Sequence, residues 1–162
     1  MEFLSRDESS MLEKKLRREI AEYDNPKFIV YYNGGGRDYA PAANAIAESA
    51  GNFSGAMLLY LWSISGDPAT DPRWNRYNSW RFAHHEPRQL YEAPGHRFGP
   101  EEAERFSNAV EFALELGWDA VITAKPGRQL LFLSHDDRLE IYHGFRGGQL
   151  VRQLTGLGYW HR

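Results

Sequence analysis

The sequence predicts an α+β fold: a single domain over residues 1–162, about four to five helices on a small, mainly antiparallel sheet. Two observations carry most of this. Residues 119–124, 129–134 and 138–143 read as a C-terminal three-stranded meander joined by the tight turns "KPGR" and "HDDR". Residues 100–116 read as a helix opened by Pro100, acidic in its first turn through Glu101, Glu102 and Glu104, and closed by Gly117.

Residues 11–23 form the first expected helix. Ser10 and Glu13 have the S-x-x-E spacing in which each side chain satisfies the other's backbone N–H. Leu12, Leu16, Ile20 and Tyr23 supply its apolar stripe, and "DNP" at 24–26 stops it. "KFIVYY" at 27–32 is rich in strand formers. A glycine turn, Gly34–Gly36, leads to a helix over 38–50, with Pro41 in its first turn and Gly51 at its end.

Residues 54–64 are apolar on every side and rich in Ala, Met and Leu, which predicts a buried helix capped by Ser54 and ended by Gly66. From Asp71, an N-cap followed by Pro72 at the first helical position, a further helix runs to about Phe82. "EAPGHRFGP" at 92–100 reads as irregular. In the last helix Ala103, Phe106, Val110, Ala113 and Leu114 form the buried face. In the meander, "QLLFLS" is apolar at consecutive positions, as a strand covered on both faces would be. Pairing across "HDDR" sets Ser134 opposite Leu139, Phe132 opposite Ile141 and Leu130 opposite His143.

Composition narrows the chemistry. The absence of cysteine excludes disulfides, thiolate metal sites and a Cys nucleophile. The longest uninterrupted apolar run, Ala56 to Trp62, is far short of the roughly 18 residues that cross a bilayer. The charged N-terminus has no signal-peptide core. A cytoplasmic location without membrane contact is the expectation. A net charge of −3 argues against a general nucleic-acid binder. The charge is uneven, because residues 73–98 hold five arginines against Glu86 and Glu92, a local +3, leaving −6 elsewhere.

No motif is catalytic. His84 and His85 are neighbours and point apart on either a helix or a strand, so they do not share a metal. His135 and His143 would stand about 13 Å apart along the sheet, and "HDDR" is a polar turn of the kind Asp favours. The glycine turn lacks both the P-loop Lys-Ser/Thr and the G-x-G-x-x-G spacing. The expectation is therefore no catalytic residue, no cofactor and no metal.

The stretch "DPRWNRYNSWRFAHHEPR", residues 71–88, carries the functional expectation. On a helix Trp74, Tyr77 and Arg81 share one side while Arg73, Arg76 and Trp80 share another, so neither side separates aromatics from arginines. Trp, Tyr and Arg are also the commonest hot-spot residues of protein interfaces. The flavour returns at the carboxyl end, where "WNR" of 74–76 recurs as "WHR" at 160–162. The expected partner-binding residues are Trp74, Arg76, Tyr77, Trp80, Arg81, His84, His85 and Trp160.

An acidic, cysteine-free chain with such a strip is similar in kind to bacterial immunity and antitoxin proteins. That likeness implies a non-catalytic protein that occludes a toxin. The alternative is an enzyme or binder acting on a phosphate-bearing or nucleic-acid ligand. It would use Gly34–Gly36, Arg37 and the arginine strip, with His84, His85 or His135 as acid–base groups.

Overall fold

A computed structural model of the chain describes residues 1–23, 25–32, 38–51, 55–59, 70–124 and 129–161. Along them run β1 (Glu2–Leu4), α1 (Arg6–Ala21), β2 (Phe28–Tyr31), α2 (Ala40–Ala50), β3 (Gly55–Leu59), α3 (Pro72–Ala83) and β4 (Gly95–Phe98). There follow α4 (Ala103–Leu116), β5 (Ala120–Ala124), β6 (Gln129–Ser134), β7 (Arg138–His143), α5 (Gly147–Gly156) and β8 (Trp160–His161). Among the described residues the strands form one sheet in the order β1-β4-β3-β5-β6-β7-β2-β8. Neighbouring strands are antiparallel throughout. The chain is α+β.

Alternation along the strands divides the core in two. Val30, Met57, Phe98, Ala120, Ile122, Leu131, Leu133, Leu139 and Ile141 join the main core with α2, α3, α4 and α5. On the opposite face Val121 and Leu130 pack with Leu16 of α1, bordered by Leu12, Ile20, Phe132 and Tyr142. Among the described residues the sheet thus has four helices on one side and one on the other. Each fully buried Leu, Ile, Val or Phe contributes about 1.5–3 kcal/mol. The small residues of α2, with Ala42 and Ala43 almost fully enclosed, let it lie close to α4. There Ser107 Oγ donates to Asn44 Oδ1 at 2.7 Å.

Four expectations are corrected. The first helix begins a turn earlier, because a second S-x-x-E pair precedes the expected one: Ser5 N donates to Glu8 Oε2 at 2.9 Å and Glu8 N to Ser5 Oγ at 3.3 Å. That start places Asp7 and Glu8 in the first turn, where they complement the helix dipole.

The expected helix over 54–64 is contradicted by β3, while its expected cap Ser54, residues 60–64 and its expected end Gly66 lie outside the described range. Helix propensity is overridden because this segment is hydrogen-bonded between β4 and β5 and enclosed in the middle of the sheet. Within the segment expected to be irregular lies β4, with His96 and Phe98 inward and Arg97 outward. Its flanking Pro94 and Gly99-Pro100 mask the alternation.

The fourth correction is register. Near the turn Ser134 pairs with Arg138 and Phe132 with Glu140, one residue off the expected partners. An irregularity between Leu130 and Leu131 then restores the expected pairing of Leu130 with His143. Neither α5 nor the two edge strands was expected.

Candidate partner-binding surface

The strip of residues 71–88 folds as predicted in outline. Asp71 Oδ1 accepts from Arg73 N at 2.9 Å and Pro72 occupies the first turn, so α3 starts where the N-cap rule places it. Trp74, Tyr77 and Arg81 share a side, and that side is buried. Trp74 packs 4.8 Å from the Trp118 ring, and Tyr77 5.2 Å from Trp118 and 5.3 Å from Phe112. Trp80 is half-buried against Phe3 at 5.9 Å and Phe112 at 5.5 Å. These three expected anchors are therefore placed in or against the core.

Arg81 lies beneath them, 2% exposed. Its Nη1 donates to the Ala93 carbonyl at 3.0 Å and to the Tyr77 hydroxyl at 3.1 Å, and its Nη2 to the Arg88 carbonyl at 3.2 Å. The guanidinium also sits 4.8 Å from the Phe3 ring centroid. The Tyr77 hydroxyl lies 3.1 Å from His96 Nε2. Burial and the Arg81 charge push His96 down to about 3, so it is neutral; since Arg81 donates to the Tyr77 oxygen, the hydroxyl is left to donate a hydrogen bond to an unprotonated Nε2. Burial pushes the Tyr77 hydroxyl up to about 12. An arginine–tyrosine–histidine chain thus satisfies a cation held inside the fold.

The remaining arginines of the strip are engaged within the chain. Arg76 pairs with Glu111 at 2.7 Å and Glu115 at 2.8 Å, its guanidinium 4.8 Å from the Phe112 ring. Arg73 pairs with Asp71 at 2.6 Å and donates to the Glu115 carbonyl at 2.9 Å. Arg88 grips Glu86 at 2.5 Å and donates to the Phe3 carbonyl at 3.1 Å. That grip holds Glu86 below the usual carboxylate range despite burial. Arg97 pairs with Glu2 at 2.6 Å. The local +3 is answered partly by acids that α4 and β1 bring to it.

His84 closes α3 and its Nδ1 donates to the Trp80 carbonyl at 2.8 Å. His85 is exposed in a left-handed conformation, φ 62°. Trp160 stands apart from the strip, on β8 at the far end of the sheet order, where it stacks on Tyr31 at 4.4 Å.

Sequence reasoning missed Phe82, which is 74% exposed on the polar face of α3 with Asn75, Asn78 and Ser79. Phase gives part of the signal: with Trp74, Tyr77 and Arg81 buried, Phe82 falls roughly 100° away from their side. Phe82 stands on a groove of about 440 Å³ lined also by Asn78, Ser79, Glu86, Arg88 and Gln89.

His135 and Asp136 lie together at the turn between β6 and β7. His135 Nδ1 lies 2.9 Å from Asp119 Oδ1, and the same oxygen accepts from His135 N at 2.7 Å. The buried carboxylate raises the His135 pKa above its ordinary value. Asp136 is 3.5 Å from His135 Nε2. Tyr32 donates to the Ser134 carbonyl at 3.1 Å, and burial raises its pKa. His135 and Asp136 thus sit on the β6–β7 turn, while His84 and His85 sit at the end of α3. Gly34–Gly36 and Arg37 lie outside the described residues. Among the described residues no group of three or more His, Asp or Glu side chains is placed to hold a metal ion. No helix there is long and apolar enough to cross a membrane.

Compared with known proteins, the chain matches no family model, no curated protein and no solved structure.

Proposed function

We propose that the chain is a non-catalytic protein-recognition domain, of the immunity or antitoxin type, that occludes its partner through the groove beside α3. The carrying observation is Phe82. In a strip whose indoles are packed inward and whose arginines are ion-paired or buried, this phenyl ring is left 74% exposed at the rim of a groove. An aromatic ring held on a helix loses little entropy on docking, and such anchors contribute about 2 kcal/mol or more at interfaces.

The lining favours recognition over chemistry. Glu86 has both carboxylate oxygens committed to Arg88. Asn78, Ser79 and Gln89 offer exposed polar groups to a partner backbone. The remainder of the chain outside residues 73–98 carries −6, and it would steer a toxin with a basic surface toward the domain before the groove engages it. The phosphate or nucleic-acid reading is not adopted, because it needs arginines that here hold α4, β1 and the α3 turn together.

The test is affinity capture from the native cell with three baits: the unaltered chain, Phe82→Asp and Arg76→Ala. A stoichiometric protein should be held at high salt by the first and third and lost by the second, whose melting temperature stays unchanged. An empty unaltered bait, or equal retention by Phe82→Asp, overturns the reading.

A further inference from the structure

The groove beside α3 has the dimensions of a short length of backbone, and every residue that lines it is among those described. Its helical wall runs from Asn78 to Ala83, which at 1.5 Å per residue is about 7.5 Å. The other wall is the loop from Glu86 to Gln89. Asn78 and Phe82 are one helical turn apart, so they share a face of α3 with about 6 Å between them along its axis. Two residues of extended chain cover about 6.6 Å. A strand laid along α3 therefore keeps step with it: a side chain resting on Phe82 sets the backbone two residues away beside Asn78.

Three groups on these walls have hydrogen-bonding capacity that the fold leaves unused. Among the described residues the side-chain amides of Asn78 and Gln89 make no hydrogen bond, and Gln89 is tied only through its backbone N, which donates to Glu92 at 2.8 Å. Arg88 commits Nε and Nη2 to Glu86 and the Phe3 carbonyl, which leaves Nη1. A primary amide donates and accepts at once, so each matches the N–H and C=O of a peptide unit. A helix has already satisfied those groups within itself, whereas an extended chain has not.

Charge selects against an ionic ligand. Arg81 and Arg88 stand among three carboxylates, those of Glu86, Glu8 and Glu92. An incoming carboxylate finds no surplus of positive charge there. An incoming cation finds the acids engaged: Glu86 by Arg88, Glu8 by the Ser5 cap and Glu92 by the Gln89 N–H. A further ion pair at an exposed rim gains little.

We infer that the groove takes an uncharged, extended segment of the partner. A bulky apolar side chain lies on the Phe82 ring, the backbone is held between Asn78 and Gln89, and one carbonyl accepts from Arg88 Nη1. This rests on the reading of the groove as the partner-binding surface and gives the bound segment its chemistry.

Random dodecapeptides displayed on phage supply the probe. The tightest is made with both ends capped and titrated against the full chain by fluorescence anisotropy. Selected sequences should share an apolar residue flanked by uncharged ones. Asn78→Ala and Gln89→Ala should each weaken binding about three- to tenfold with melting temperature unchanged, and Phe82→Asp about tenfold or more. Methylating the peptide's backbone nitrogens should weaken it as well. Loss in Phe82→Asp with indifference to both amide variants, a charged or helical consensus, or a library that yields no binder overturns the inference, and leaves the groove itself to be judged by capture from the native cell. Binding that survives Phe82→Asp overturns both.

Discussion

Arg76 and Glu111 join α3 to α4, the Arg76 Nη2 standing 2.7 Å from the Glu111 carboxylate while the guanidinium lies over the neighbouring Phe112 ring. The pair is structural in its effect and lies at the surface, with Arg76 about half exposed and Glu111 more than three-quarters covered. Exposed ion pairs contribute about 0.2–1 kcal/mol and are screened by salt, and a cation over a ring at such a site adds about 0.5–1 kcal/mol.

Arg76→Ala should therefore lower stability by about 1 kcal/mol, which for a chain of this size is roughly 2–4 °C in melting temperature. The difference from the unaltered chain should shrink at high salt. Thermal melts at two salt concentrations check this; a salt-independent drop several times larger would mean that Arg76 is a packing residue.

Gly95 is a position where the sheet has no room for an added methyl group. A Cβ there would stand 2.7 Å from Ser9 Oγ and 2.9 Å from Leu4 Cβ, so β1 or α1 must shift. Gly95→Ala should cost about 1–3 kcal/mol. Gly156→Ala, where a Cβ meets nothing within 4 Å, should be neutral or stabilising by up to about 1 kcal/mol. Urea unfolding of the two variants should move the midpoint in these different ways.

Two histidines act on stability from opposite sides of pH 6.5. His96 is held near 3 when folded but takes a proton near 6.5 when unfolded. The unfolded chain therefore binds more protons between those values, and stability falls as pH drops, by at most about 1.4 kcal/mol per pH unit. Its effect precedes that of Glu86, whose lowered pKa costs stability only as pH falls below about 4.5. His135 has a raised folded pKa, so its contribution is complete below about 6.5 and fades as pH rises through the folded value. Urea midpoints between pH 4 and 9 should trace a maximum, and His135→Asn should flatten only the alkaline limb. An unchanged alkaline limb in that variant would show that the Asp119 contact does not govern it.

The elements that could be read from the sequence are those whose signals are local. Pro100, the early acids and Gly117 bracket α4 within one helix, and Gly117 takes up the left-handed cap at φ 63°. The meander is announced by its second turn, with Asp137 at φ 56°, while the expected KPGR turn at 125–128 lies outside the described residues. β3 and β4 were illegible because each depends on a partner distant in sequence. Only when β4 and β5 flank it does a run of helix formers become a strand. The strip of α3 is instructive in another way. Its phase was readable, but the acids that neutralise Arg76 and Arg97 arrive from Glu111, Glu115 and Glu2, which no local window connects to them.

The order of the strands has a consequence for synthesis. β2 leaves the ribosome early, yet its place lies between β7 and β8, both made more than a hundred residues later. At about 5–20 residues per second, Phe28–Tyr31 waits roughly 5–20 s before Leu139 and Ile141 exist to receive it. During that interval an apolar, strand-forming segment is in water without its neighbours, a natural docking point for a chaperone. Closure of the sheet across so long a loop also makes folding slow relative to helical proteins of similar size. The nascent chain, more than the finished one, is where this protein is exposed to aggregation.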